Sequence, residues 1–129
     1  MKGHARSLMT PHATTVAADE GVTAVARVLI AAGFGGVPVI DGQGALVGFL
    51  SELDLAQAML DEKFHGKVKD IMSTRIVSVD EFATIGEVIR VLREHHIHHL
   101  PVVRQGSVVG IITPSDVIRY FLEQGDDVA

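Results

Sequence analysis

Apolar residues recur at helical spacing in two stretches, Val22, Val25, Leu29 and Ala32, then Ile85, Val88, Ile89 and Leu92, and each stretch predicts an amphipathic helix. After each come two short apolar runs, 37–40 with 46–50 and 100–103 with 108–112, rich in the β-branched residues that favour strands. Asp41-Gly42-Gln43-Gly44 and Arg104-Gln105-Gly106-Ser107 join the paired runs and read as hairpin turns. Gly33 stands where a left-handed helix cap would end the first helix. A short strand is expected before each first helix, at 14–16 and 76–79, and a closing helix after each hairpin, at 52–60 and 114–123. The polar segment 61–70, with Gly66, reads as the linker.

The two stretches are copies of one unit. At an offset of 63, Met9 falls on Met72, Val16 on Val79, Arg27-Val28-Leu29 on Arg90-Val91-Leu92, and Pro38-Val39 on Pro101-Val102. After the predicted hairpin turn the offset becomes 62, and Gly44, Val47-Gly48 and Asp54 meet Gly106, Val109-Gly110 and Asp116. One residue lost in a turn is the mark a duplication leaves. The reading is therefore an α/β (α+β) fold of two βαββα repeats, 1–63 with an N-terminal lead-in and 64–129, together one module. A unit this small cannot bury its sheet alone, so the copies are expected to pack about a pseudo-twofold axis.

Composition agrees with doubly covered strands. Hydrophobic residues make up 47% and charged ones 21%, and the mean hydropathy of +0.32 predicts either extensive burial or an apolar face for a partner. A net charge of -5 argues against nucleic acid as a partner. No apolar run nears the roughly 20 residues of a membrane span, and residues 1–8 lack the apolar core of an export signal, so a cytoplasmic, non-membrane protein is expected. With no cysteine there is neither a disulfide framework nor a thiolate metal site.

The repeated strings resemble a tandem pair of cystathionine-β-synthase-type (CBS) domains, a Bateman module, here as a stand-alone protein. In the second copy they are Ile71-Met72-Ser73, His99-Leu100-Pro101-Val102-Val103, Val109-Gly110-Ile111-Ile112-Thr113 and Thr113-Pro114-Ser115-Asp116. The first copy has Leu8-Met9-Thr10, Gly36-Val37-Pro38-Val39-Ile40, Val47-Gly48-Phe49-Leu50-Ser51 and Ser51-Glu52-Leu53-Asp54. The resemblance covers about residues 8–123. It implies a regulatory module that binds AMP, ADP or ATP as a regulatory ligand in two clefts between the copies. Binding of S-adenosylmethionine or an NAD-type dinucleotide is the alternative. It also implies a homodimer, head-to-head or head-to-tail, acting on an effector protein that the sequence does not name.

Residue chemistry leaves two readings of Ser/Thr-x-x-Asp at the strand-to-helix handover. One is a capping box, with hydroxyl at the N-cap and carboxylate three residues on. The other is a ligand site, with the helix N-terminus for phosphate and the carboxylate for ribose hydroxyls. Both can hold at once. The resemblance implies a cleft A built from Thr113, Pro114, Ser115 and Asp116, with Ile111 near the base. To these it adds the Met9-Thr10 turn, Ala13, Thr14, Phe34 and Gly35, with His98 or His99 as the basic phosphate contact. Cleft B would use Ser51, Asp54, Phe49, Ser73, Ile76 and Val77, with Ile97 and His98. Its basic positions are Gly35 and Gly36, which carry no charge, and Glu52 beside the helix start would repel a phosphate. Cleft A is therefore the expected nucleotide site and cleft B the weaker one.

Four histidines crowd into His95-His96-Ile97-His98-His99, and His95 with His99 has the i, i+4 spacing of a metal pair on a helix. His96 aligns with the helix-ending Gly33, which breaks that geometry, so no metal site is expected. No catalytic residue and no catalytic cofactor is expected either, because Ser51, Thr113 and Ser115 have acids rather than a base beside them. The competing class is a structural dimerisation module with degenerate clefts.

Overall fold

The computed structural model describes residues 2–124; residues 1 and 125–129, the outermost parts of the two repeats, lie outside the described residues. Among the described residues, five helices, α1 (Ala5–Leu8), α2 (Val22–Ala32), α3 (Glu52–Leu60), α4 (Ile85–Glu94) and α5 (Pro114–Gln124), are interspersed with seven strands. The strands are β1 (Thr10–Pro11), β2 (Val16–Ala17), β3 (Gly36–Ile40), β4 (Leu46–Ser51), β5 (Val79–Asp80), β6 (Leu100–Arg104) and β7 (Ser107–Ile112). The mixed α/β class and the two repeats are as expected from the hydrophobic pattern.

The chain forms two compact units, and their boundaries are not those of the repeats. Among the described residues, one holds those up to Ala13 together with those from Val77 onward; the other is Thr14–Ile76. Each repeat's lead-in thus packs into the unit built by the other repeat. In the α4/α5 unit the sheet order is β1-β7-β6-β5, with Thr10 opposite Ile111 and Pro11 opposite Gly110. In the α2/α3 unit the order is β2-β3-β4, and the lead-in of the second repeat reaches it through a bridge between Phe49 and Ser73. β2 and β5 run parallel to the neighbouring hairpin strands β3 and β6, each hairpin is antiparallel, and β1 is antiparallel to β7.

The lead-ins are seated in the same way twice. His4 bridges to Thr84, at the start of α4, and Lys67 bridges to Gly21, at the start of α2. A Cβ on Gly110 would collide with the Met9 side chain and lie 2.9 Å from the Thr10 carbonyl oxygen. A Cβ on Gly48 would likewise strike Met72 and lie 3.0 Å from the Ser73 carbonyl oxygen. These two glycines are required for close approach, not for their backbone angles.

Two expectations are corrected. Met9-Thr10 is not a turn: Thr10 is a strand residue hydrogen-bonded into the sheet beside β7. Nor is 61–70 a loose polar linker. Val68, in a 3-10 turn over Val68–Asp70, is fully buried in the α2/α3 core, with its N–H on the Glu20 carbonyl at 2.9 Å. One apolar residue among charged ones carries too little periodicity to announce that burial.

The cores mirror each other: Val22, Val25, Leu29, Val37, Val39 and Leu50 in one unit, Ile85, Val88, Leu92, Leu100, Val102 and Ile112 in the other. At roughly 1.5–3 kcal/mol per buried side chain of this kind, such clusters hold each unit together. Glu81, buried in the α4/α5 unit, accepts hydrogen bonds from Nε and Nη2 of the Arg104 guanidinium at 2.7 and 2.8 Å.

Candidate functional site

Each unit brings a hairpin strand to a helix through a hydroxyl residue. In the α4/α5 unit, β7 passes to α5 at Thr113, whose N–H and hydroxyl both donate to Asp116 Oδ2, at 2.8 and 3.1 Å. The Asp116 N–H returns a bond to Thr113 Oγ1 at 3.3 Å. In the α2/α3 unit, Ser51 N–H and hydroxyl donate to Asp54 Oδ2 at 2.9 and 3.0 Å, and Asp54 N–H donates to Ser51 Oγ at 3.2 Å. Both are reciprocal capping boxes, which satisfy orphan donors at the helix start. The capping geometry does not exhaust the carboxylate, since each retains Oδ1 for other donors.

Around the α5 start the structure assembles Thr10, opposite Ile111, together with Thr113, Pro114, Ser115 and Asp116. Leu100 pairs with Ile112, so His99 and Thr113 are the next residues outward on the two strands. His98 is exposed and His99 half-buried. Ala13 belongs to the same unit and is half-buried. Thr14, Phe34 and Gly35, the other residues assigned to the first cleft, belong to the α2/α3 unit, as Val77 and Ile97 of the second cleft belong to the α4/α5 unit. Ile97, His98 and Pro114 share an open recess of about 450 Å³ with Ile89, Leu92, Arg93, His96, Val117 and Ile118.

Around the α3 start lie Phe49, held to Ser73 by bonds of 2.9 Å in each direction, with Ser51 and Asp54. Ile76 is an exposed residue of the same unit. The Gly35 carbonyl accepts the Glu52 N–H at 3.1 Å and occupies one of the free donors of that helix end. The Phe49 ring covers Gly36, where a Cβ would collide with it. At the equivalent positions the other unit has Ile111 and His99, so the bulk has moved from one strand to its neighbour. Glu52 and Asp54 both stand in the first turn of α3, whereas Asp116 is the sole acid in that of α5.

The electrostatic difference that sequence reading overlooked is Arg119. Its Nη1 donates to Asp116 Oδ1 at 3.0 Å, with the arginine side chain 62% exposed and the aspartate 10%. An i, i+3 pair on a helix is a recognisable spacing, so the signal was present in the sequence. Gln57 stands at the equivalent place in α3 and turns to Asp61, at 3.1 Å.

His96 has φ 51° and Gly33 φ 72°, so α4 ends with a left-handed residue where α2 does, and His95 and His99 do not share a helix. Among the described residues no three His, Asp or Glu side chains come together as a metal-binding group, and no helix is long and apolar enough to cross a membrane.

Comparison with known proteins matches the CBS domain model to residues 5–61 and 68–123. A crystal structure of CBSX2 in complex with AMP is 30% identical, has a TM-score of 0.85, and covers 95% of this chain and 98% of its own. A crystal structure of hypoxic response protein I with two coordinated zinc ions is 27% identical at a TM-score of 0.83, covering 92% and 99%. Hypoxic response protein 1 of Mycobacterium tuberculosis is 29% identical over 123 residues, 92% of this chain and 85% of the relative. The chain spans only about a third of some other curated relatives, 32% and 31% of two of them.

Proposed function

Since the chain belongs to the CBS domain family, matched over both repeats, we propose that it is a non-catalytic regulatory module that binds an adenine nucleotide, AMP, ADP or ATP, chiefly at the start of α5. The observation that carries this reading is the Asp116 carboxylate, buried at a helix N-terminus and fixed there by Thr113. In this reading Asp116 accepts ribose hydroxyls, as an acidic residue does in dinucleotide folds. Ser115 and the positive end of α5 face the phosphate, with His98 or His99 as its basic neighbour. The AMP held by CBSX2, a relative of nearly the same length, supports an adenosine ligand.

The α3 start is the weaker site. Its carboxylates are doubled by Glu52, and its glycines carry no charge. That depletion favours a second reading, a structural module that dimerises without a ligand. The exposed Ile118, Phe121 and Leu122 of α5 are the face a second copy would cover in either case. The effector and the cytoplasmic setting belong to the same proposal.

A thermal-shift panel of AMP, ADP, ATP, S-adenosylmethionine and NADH separates the readings. A ligand at 100 times its dissociation constant stabilises by about 2.7 kcal/mol, which raises the melting midpoint by several degrees. A shift with an adenine nucleotide is expected; a flat response to every adenosine compound leaves the structural module.

A further inference from the structure

Asp116 is already nearly full. A carboxylate offers about four lone-pair sites; Thr113 occupies both on Oδ2 and Arg119 one on Oδ1. A ribose diol brings two hydroxyls to the single site that remains. Asp54 differs. It carries the same two bonds from Ser51 on Oδ2, and among the described residues nothing is bonded to its Oδ1. A diol therefore fits the α5 start only when Arg119 gives way.

The start of α5 is also short of donors for a phosphate. Pro114 has no N–H, and the N–H of Asp116 is spent on Thr113. The Ser115 N–H and hydroxyl remain. A phosphate there calls for a cation, and the Arg119 guanidinium, itself mostly exposed, is held at that helix start by its ion pair with the buried Asp116. Taking the arginine away from a buried carboxylate is costly unless other donors replace it; the ribose hydroxyls do so on Oδ1, while arginine and phosphate form paired, charge-assisted bonds.

Building on the nucleotide reading above, we infer that Arg119 is an exchangeable guard of the α5 site: it holds Asp116 Oδ1 until a ligand phosphate draws it off, so the site selects phosphorylated adenosine ligands over the bare nucleoside. The α3 start, with Gln57 turned to Asp61, has no such selection.

Calorimetric titration of the full chain with AMP and with adenosine, in the wild type and in Arg119→Gln, tests this. The wild type prefers AMP. In R119Q, AMP binding weakens about tenfold or more, the loss of a charged hydrogen bond, while adenosine binds equally well or more tightly. The AMP-to-adenosine preference thus falls at least tenfold, with a single cooperative melting transition showing that the variant folds. A preference that is the same in both proteins, or a proportional loss of both ligands, overturns the guard and leaves nucleotide binding standing. A wild-type chain that binds neither compound overturns both.

Discussion

Glu81 shows how a single buried carboxylate is held ionised. The paired hydrogen bonds from Arg104 are the main reason its pKa lies below the ordinary 4.5, outweighing the opposing effect of burial; the charges of Arg104 and Arg6 act in the same direction as the bonds. A carboxylate depressed in the folded state adds stability that is fully present above its unfolded value and is lost as pH falls through its folded value. The melting midpoint of the wild type should therefore decline as pH drops below about 4.5. In Arg104→Gln, Glu81 is left buried without its cation, so the midpoint is lower at pH 7 and less sensitive to acid. An equal acid slope in the two proteins contradicts the assignment. At this scale the sequence was most readable where the chemistry is local. The Thr113/Asp116 and Ser51/Asp54 boxes lie within four residues, and capping rules recover them. Arg119 stands only three residues beyond Asp116, but an i, i+3 pair is common on any helix surface and does not by itself mark a ligand site.

At the scale of elements, periodicity recovered α2, α4 and both hairpins, since an amphipathic helix and a two-stranded ribbon are decided by neighbouring residues. The closing helix expected at 52–60 is observed as α3, Glu52–Leu60. The exchange of lead-ins was not readable. Met9 against Gly110 and Met72 against Gly48 are contacts between segments far apart in the chain, and each motif looked like an isolated repeat mark. The contacts give those marks a reason: the glycine makes room for the methionine, and Thr10 or Ser73 is thereby held at the strand that leads to the helix start. Gly110→Ala should destabilise the protein by about 1–3 kcal/mol through overpacking and speed amide exchange at Thr10 and Ile111. Gly86→Ala is the control, because a Cβ there meets only Thr84 Oγ1, at 4.0 Å, and lies within helix α4. It should be neutral or stabilising by up to about 1 kcal/mol. Chemical denaturation of the two variants measures this; equal effects would remove the proposed role of the methionine seat.

For the whole molecule, the duplication decides architecture and leaves chemistry to the differences between copies. Both units have the same strand order around the hairpin, the same capping box and the same seated lead-in. They part at a few positions: Pro114 against Glu52, Arg119 against Gln57, His99 against Gly36, Ile111 against Phe49. Those substitutions put a cation beside one carboxylate and a second acid beside the other, so one strong adenine-nucleotide site per chain is expected rather than two. Calorimetric titration of AMP into the wild type, Asp116→Ala and Asp54→Ala, with melting curves to confirm folding, tests that claim most directly. One tight site per chain is expected, lost in D116A and retained in D54A. Tight binding that survives in D116A and disappears in D54A would contradict it.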